Sequence, residues 1–232
     1  EIDADREIRC AVLTGSGDKA FTAGLDLKTA GQVMGGAITG DASAAGKVAM
    51  AIDELSALQE CFTSLENMRV PVIAAVNGYC LGAGTELILT CDIRLAGSNA
   101  IFSIEEVALG VVPDMGSTQR LPRVVGMGKA KQMLLTGARI GAEEAHRIGL
   151  VEEVYAPEET LDKAVEMAEA VAAKAPLAVQ ATKRAVNMSA HTPLAVGLKY
   201  ETLLAASNLI AEDIPKGMIA RAQKKEPEFE GK

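Results

Sequence analysis

The chain has 232 residues, 49% of them apolar and 23% charged, values of an ordinary globular protein and not of a disordered one. With 23 Lys+Arg against 31 Asp+Glu the net charge is -8, so no whole-protein field gathers nucleic acid or anionic lipid, and a polyanionic ligand must be met by local cations. Four Phe, three Tyr and no Trp leave an aliphatic core and remove the stacking platforms that bases or sugars need.

In chain order, Glu1 to Arg6 reads as the end of a helix, and without an initiating Met the expectation is that an amino-terminal part precedes it. Arg9 to Thr14 is a short, mostly apolar strand closed by Gly15-Ser16-Gly17-Asp18, a turn composition. Gly31 to Gly46, rich in Gly, Ala, Ser and Thr, is expected to be a mobile loop able to serve as a lid before a helix from about Lys47 to Met68. Val70 to Val76 is β-branched and stops at Asn77-Gly78, the pattern of a buried strand. Leu81 to Cys91 reads as a helix and Ile93 to Ala96 as the next strand, a βαβ grammar. After Val154 the prolines at 157, 176, 193 and 215 each stand near the start of an amphipathic stretch, where the first helical turn tolerates them. Four helices are expected there, with a boundary near residue 156 between an α/β part (1–156) and a helical part (157–232).

The four cysteines, Cys10, Cys61, Cys80 and Cys91, show no CxxC spacing and no partner His nearby. That disfavours a zinc site or redox pair and predicts reduced, buried thiols. No apolar run approaches the ~20 residues that span a bilayer, and no basic-then-apolar leader is present. The expectation is a soluble, cytoplasmic protein. Only His146 and His191 are available for a serine–histidine triad, and no GxSxG elbow presents a serine. The P-loop pattern is absent, and Gly82-Ala83-Gly84 has Leu87 where a dinucleotide fingerprint needs its third glycine.

That Gly-rich turn suits another purpose. A strand ending in a turn that runs into a helix leaves backbone N–H groups unpaired at the helix start, where an oxyanion fits. Glu86, in the first turns of that helix, either complements the helix dipole or takes part in chemistry. Glu105 and Glu106 interrupt an apolar stretch, and acids are costly to bury without partners. Asp114 either caps a helix starting near Gly116 or is functional.

The runs Ala20-Phe21-Thr22-Ala23-Gly24-Leu25-Asp26-Leu27-Lys28 and Pro71 to Leu87, followed by Cys91 to Ala96, Thr118-Gln119-Arg120-Leu121-Pro122-Arg123 and Thr136-Gly137 to Val151, resemble the enoyl-CoA hydratase/isomerase (crotonase) superfamily over nearly the whole chain. The resemblance implies an α/β fold, a crotonase-like spiral of ββα units with a C-terminal helical trimerisation region, assembled as a trimer or a dimer of trimers. It implies a coenzyme A thioester as substrate, with no further cofactor and no metal, and its carbonyl held by the backbone N–H groups of Leu25 and Ala83. Glu86 and Glu106 match the two hydratase glutamates, one activating water and the other protonating the α-carbon, while Glu105 falls off the matching position. Ala23, Asp26, Lys28 and Lys224 match positions around the coenzyme A.

Asp114 departs from the hydratase pattern, which has glycine there, and resembles the proton-shuttling aspartate of some dienoyl-CoA isomerases; those enzymes in turn usually carry aspartate at the Glu86 position. Hydration of 2-trans-enoyl-CoA is therefore expected first, with enoyl- or dienoyl-CoA isomerisation as the alternative. An RNA-binding role, which one branch of the superfamily performs through a lysine-rich helix, fails on charge, since the helix from Lys47 carries Asp53, Glu54, Glu60 and Glu66. A silent acyl-CoA-binding scaffold is disfavoured by both glutamates.

Overall fold

The computed structural model describes residues 2–26, 28 and 42–232. Eight strands are described: β1 (Ala11–Thr14), β2 (Ala20–Thr22), β3 (Val72–Val76), β4 (Tyr79–Leu81), β5 (Ile93–Gly97), β6 (Ile101–Ser103), β7 (Ile140–Gly141) and β8 (Glu153–Tyr155). They form one sheet in the order β1-β3-β5-β8 and a second in the order β2-β4-β6-β7. Strand β4 runs parallel to β2 and β6, and β5 parallel to β8, whereas β7 is antiparallel to β6. Parallel neighbours require crossovers, which is why each pair here is separated by intervening chain. All five residues of β3 are buried, as expected for a strand covered on both faces.

The described helices are α1 (Ala44–Glu66), α2 (Ala83–Ile88), α3 (Ser117–Val125), α4 (Met127–Thr136), α5 (Ala142–Arg147), α6 (Thr160–Ala172), α7 (Pro176–Ser189), α8 (Leu194–Asn208) and α9 (Asp213–Gln223), with a 3-10 turn at Glu106–Leu109. The chain divides into two compact units. One gathers Glu1–Val12, Asn67–Ile73 and Asp162–Lys232, and the other Leu13–Glu66 and Ala74–Leu161. In the second unit the core is mostly aliphatic, with one phenylalanine among its largest buried side chains: Ile88, Leu95, Phe102, Ile104, Met115, Leu121, Met133 and Leu150 are fully buried. In the first, the four late helices are present, and the buried Asp213 carboxylate accepts the Glu230 and Gly231 N–H groups at 2.9 and 2.8 Å, pinning the carboxy-terminal tail. Among the described residues no helix is long and apolar enough to cross a membrane.

Several sequence expectations are corrected. Residues 2–7 form turns and not a helix end: the Asp5 carboxylate accepts the Glu7 N–H, and Arg69 binds Asp3 and the Asp5 carbonyl, so side chains compete with helical pairing there. The helix expected from Leu81 to Cys91 is only Ala83–Ile88, because Leu81 pairs with Ser103 in β4–β6. The expected lid lies, through residue 41, outside the described residues, and Ala44–Gly46 already belong to α1. Cys80 and Cys91 are buried free thiols, but Cys10 is half-buried and Cys61 exposed. Burial pushes the Cys80 thiol up to about 12, which keeps it unreactive.

Candidate active site

Parallel pairing sets the scaffold. Thr22 on β2 stands beside Cys80 on β4, so the segment after β2 arrives next to the turn that follows β4. The approach is tight: a Cβ built on Gly24 would lie 3.0 Å from the Leu81 carbonyl oxygen and 3.6 Å from the Ala83 nitrogen, and one on Gly84 would fall 2.3 Å from Thr22 Cγ2. Thr22 Oγ1 also accepts the Gly24 N–H at 3.2 Å. Gly82 has φ 54 and ψ -125, the first central position of a type II′ turn, which glycine alone adopts without strain. That turn places Ala83 at the first helical position, where its N–H has no acceptor within the helix.

Two acids, Glu86 and Glu106, stand at this turn, and the charge of a third, Asp114, acts on both. Glu86 on α2 is 1% exposed, and its Oε1 accepts the Ser117 backbone N–H at 3.0 Å. Burial pushes its carboxyl up, against the Ser117 and Met115 amides, and the Asp114 charge pushes it further. Glu106 opens the 3-10 turn, and its Oε1 lies 2.7 Å from where a Gly82 Cβ would stand. Its Oε2 is buried and has no hydrogen-bond partner. Burial raises the Glu106 carboxyl as well, with the charges of Glu86, Asp114 and Glu105 adding to the rise. Asp114 is half-buried and raised by burial.

Glu105 differs from its neighbour. Arg139 donates to it at 2.5 Å and Ser103 at 2.9 Å, and the Arg139 bond holds its carboxyl below the usual range. Adjacent acids are thus pushed opposite ways, one fixed as an anion in an ion pair and the other left with a buried, unpartnered oxygen. Groups with raised values and a shared charge environment are suited to proton transfer near neutrality.

A sequence model described as Enoyl-CoA hydratase/isomerase matches residues 1–232. The chain belongs to the enoyl-CoA hydratase/isomerase family. It is an enzyme of the lyase/isomerase type, with the crotonase fold. A short-chain-enoyl-CoA hydratase of Clostridium acetobutylicum is 39% identical over 98% of the chain and 82% of its own length. A peroxisomal Delta(3,5)-Delta(2,4)-dienoyl-CoA isomerase of Arabidopsis thaliana is 34% identical over 98% of the chain and 82% of its own length. The crystal structure of an enoyl-CoA hydratase from Bacillus anthracis superposes with a TM-score of 0.88 at 35% identity, covering the whole chain and 84% of that protein.

Within this member of the family, Glu86, Glu106, Asp114, Leu25 and Ala83 all lie in the unit built on Leu13–Glu66 and Ala74–Leu161. Ala83 is buried and Leu25 is 46% exposed. Ala23, Asp26 and Lys28 are exposed, and the Asp26 carboxylate accepts the Lys28 N–H at 2.9 Å. Lys224 is exposed in the helical unit, where it closes α9 in the left-handed conformation at φ 56. Asp114 does not cap α3: Gly116 occupies that position without a side-chain bond. His146 is exposed on α5.

Sequence reasoning missed the residues that hold the acids in place. Ser117 binds Glu86 through its amide, a role no side-chain pattern announces. Gln59 on α1 donates to the Asp114 carbonyl at 2.5 Å. Arg120 reaches Glu66 at 2.7 Å, Thr63 at 3.0 Å and the Met115 carbonyl at 3.3 Å. The Gly116-Ser117 start of α3 was the available signal, since a helix start with small residues lets an anion approach its N–H groups.

Proposed function

We propose that this enzyme adds water to 2-trans-enoyl-CoA thioesters, with Glu86 as base and Glu106 as acid. The observation that supports it is the pair itself: two carboxyls, both raised by burial, the Glu86 charge acting on Glu106, beside the Gly82-Ala83 turn. Glu86 takes a proton from water as the water oxygen bonds to the β-carbon. The π electrons move to the thioester oxygen, and the enolate collapses as Glu106 delivers its proton to the α-carbon. One H and one OH have been added on the same face, and a proton passing from Glu86 to Glu106 resets the pair. The Leu25 and Ala83 amides receive the developing oxygen charge, a contribution of about 3–4 kcal/mol per donor in comparable sites. The tight packing of Gly24 on Leu81 and Ala83 supports their convergence.

Ala23, Asp26 and Lys28 belong in this reading to the coenzyme A site. The exposed apolar side chains of Leu194, Leu203, Leu209 and Ile210 support assembly of the helical unit as a trimer or dimer of trimers.

Asp114 supports a second reading, movement of a double bond along the acyl chain. Its charge bears on both glutamates, so a third proton carrier stands beside the pair. Purified protein is incubated with crotonyl-CoA and separately with a 3,5-dienoyl-CoA, following loss or gain of conjugation by absorbance. Loss of conjugation with crotonyl-CoA is expected. Turnover of the dienoyl thioester alone would replace hydration by isomerisation.

A further inference from the structure

We propose that the Ser117 hydroxyl is a positioning group for Glu86, donating a second hydrogen bond beside that of the Ser117 amide and so fixing which carboxylate oxygen remains for chemistry. The inference rests on Glu86 acting as the base.

Ser117 is fully buried at the first position of α3, and its amide already binds Glu86 Oε1 at 3.0 Å. Its Oγ is buried and has no hydrogen-bond partner. A buried hydroxyl without a partner is costly, and native proteins retain few of them. The acceptor that its own amide already holds, Glu86 Oε1, is the group this hydroxyl is placed to serve. Oγ is close enough to counter the rise caused by burial although its resting geometry is not that of a hydrogen bond.

Among the described residues the elements packed most closely on α2 offer few other donors. Helix α2 packs against β4 and α3. The titratable and charged groups on those elements are Tyr79 and Cys80 on β4 and Arg120 and Arg123 on α3, with Asp114 and Glu106 on the connecting segments. Cys80 is kept neutral by burial. Arg120 is engaged by Glu66, Thr63 and the Met115 carbonyl, and Arg123 by the Gln119 carbonyl. Asp114 and Glu106 are acids, and the Asp114 charge raises Glu86. Stabilisation of the Glu86 anion therefore falls to the Met115 and Ser117 amides and to the Ser117 hydroxyl.

The test compares wild type, Ser117→Ala and Ser117→Gly in crotonyl-CoA hydration, with kcat, KM, the pH profile of kcat/KM and Tm measured for each. A hydrogen bond to a charged group has a weight that predicts a fall in kcat of roughly tenfold or more. KM should stay near wild type, because the contact Ser117 makes is with Glu86. Loss of a donor to the anion raises Glu86, so the acid limb of kcat/KM moves to higher pH. Removal of a hydroxyl with a structural role alone would lower Tm and leave the acid limb in place, whereas the positioning role moves the acid limb whatever Tm does. Superimposable pH profiles with kcat within twofold of wild type in either variant would overturn the proposal and leave the hydratase reading standing. A wild-type protein that does not hydrate crotonyl-CoA would instead overturn that reading and the proposal with it.

Discussion

Gly82→Ala perturbs the point where fold and chemistry meet. At φ 54 and ψ -125 a Cβ is strained whatever the space, at about 1–3 kcal/mol. The Cβ would also stand 2.7 Å from Glu106 Oε1. Ordinary contact begins at 3.4 Å, so the carboxylate must retreat by 3.4 − 2.7, about 0.7 Å, a displacement that can lower a rate by up to about 100-fold where proton transfer needs alignment. Glu106 is the flexible partner, and its Oε2 has no bond to hold it, so the side chain moves before the turn does. Crotonyl-CoA hydration and thermal unfolding are measured together, with Gly126→Ala as control. Gly126 has φ 79 and nothing within 4 Å of the added Cβ, so it adds backbone strain without displacing an acid. Both variants should lose about 2–4 °C of Tm for each kcal/mol of strain, but only Gly82→Ala should lose kcat. Equal kcat in the two variants would refute the claim that Gly82 makes room for the Glu106 carboxylate.

Two further outcomes follow from the charges. Glu86→Gln should raise stability at neutral pH: because burial raises its carboxyl above the ordinary 4.5, the folded state binds the proton more tightly than the unfolded one, and stability is lost as pH rises through the folded value. The gain in Tm over wild type should therefore be larger at pH 7 than at pH 4, and a constant difference would contradict the assigned direction. Asp114→Asn removes a charge that raises both glutamates, so the bell of kcat/KM should move to lower pH while any double-bond migration disappears; an unmoved bell would separate Asp114 from the pair.

The elements legible in the sequence are those whose burial is written in side-chain type. Val72–Val76 reads as a covered strand because every residue is apolar and three are β-branched, and the prolines at 176 and 193 mark the starts of α7 and α8 because their fixed φ suits a first turn. Leu81 was misplaced because its apolar side chain fits either element, and only the positive φ of Gly82 decides that the helix starts at Ala83. Cys61 lies on α1, where no residue is buried, so its chemistry predicted a core position that the helix does not supply. Glu86, Glu106 and Asp114 were visible as acids in costly surroundings. What holds them was not, since the Ser117 amide, the Gln59 bond to a carbonyl and the Arg120 ties to Glu66 and Met115 join residues 31 to 55 positions apart or act through backbone atoms.

The measurement closest to the centre is the hydration rate of Glu106→Gln at saturating crotonyl-CoA, with thioester affinity determined alongside. The variant keeps the shape of the side chain and removes the transferable proton. Affinity should hold while kcat falls by about two to four orders of magnitude, the usual scale for a positioned acid. A kcat equal to wild type would take Glu106 out of the reaction and with it the pair of buried carboxyls as the source of catalysis.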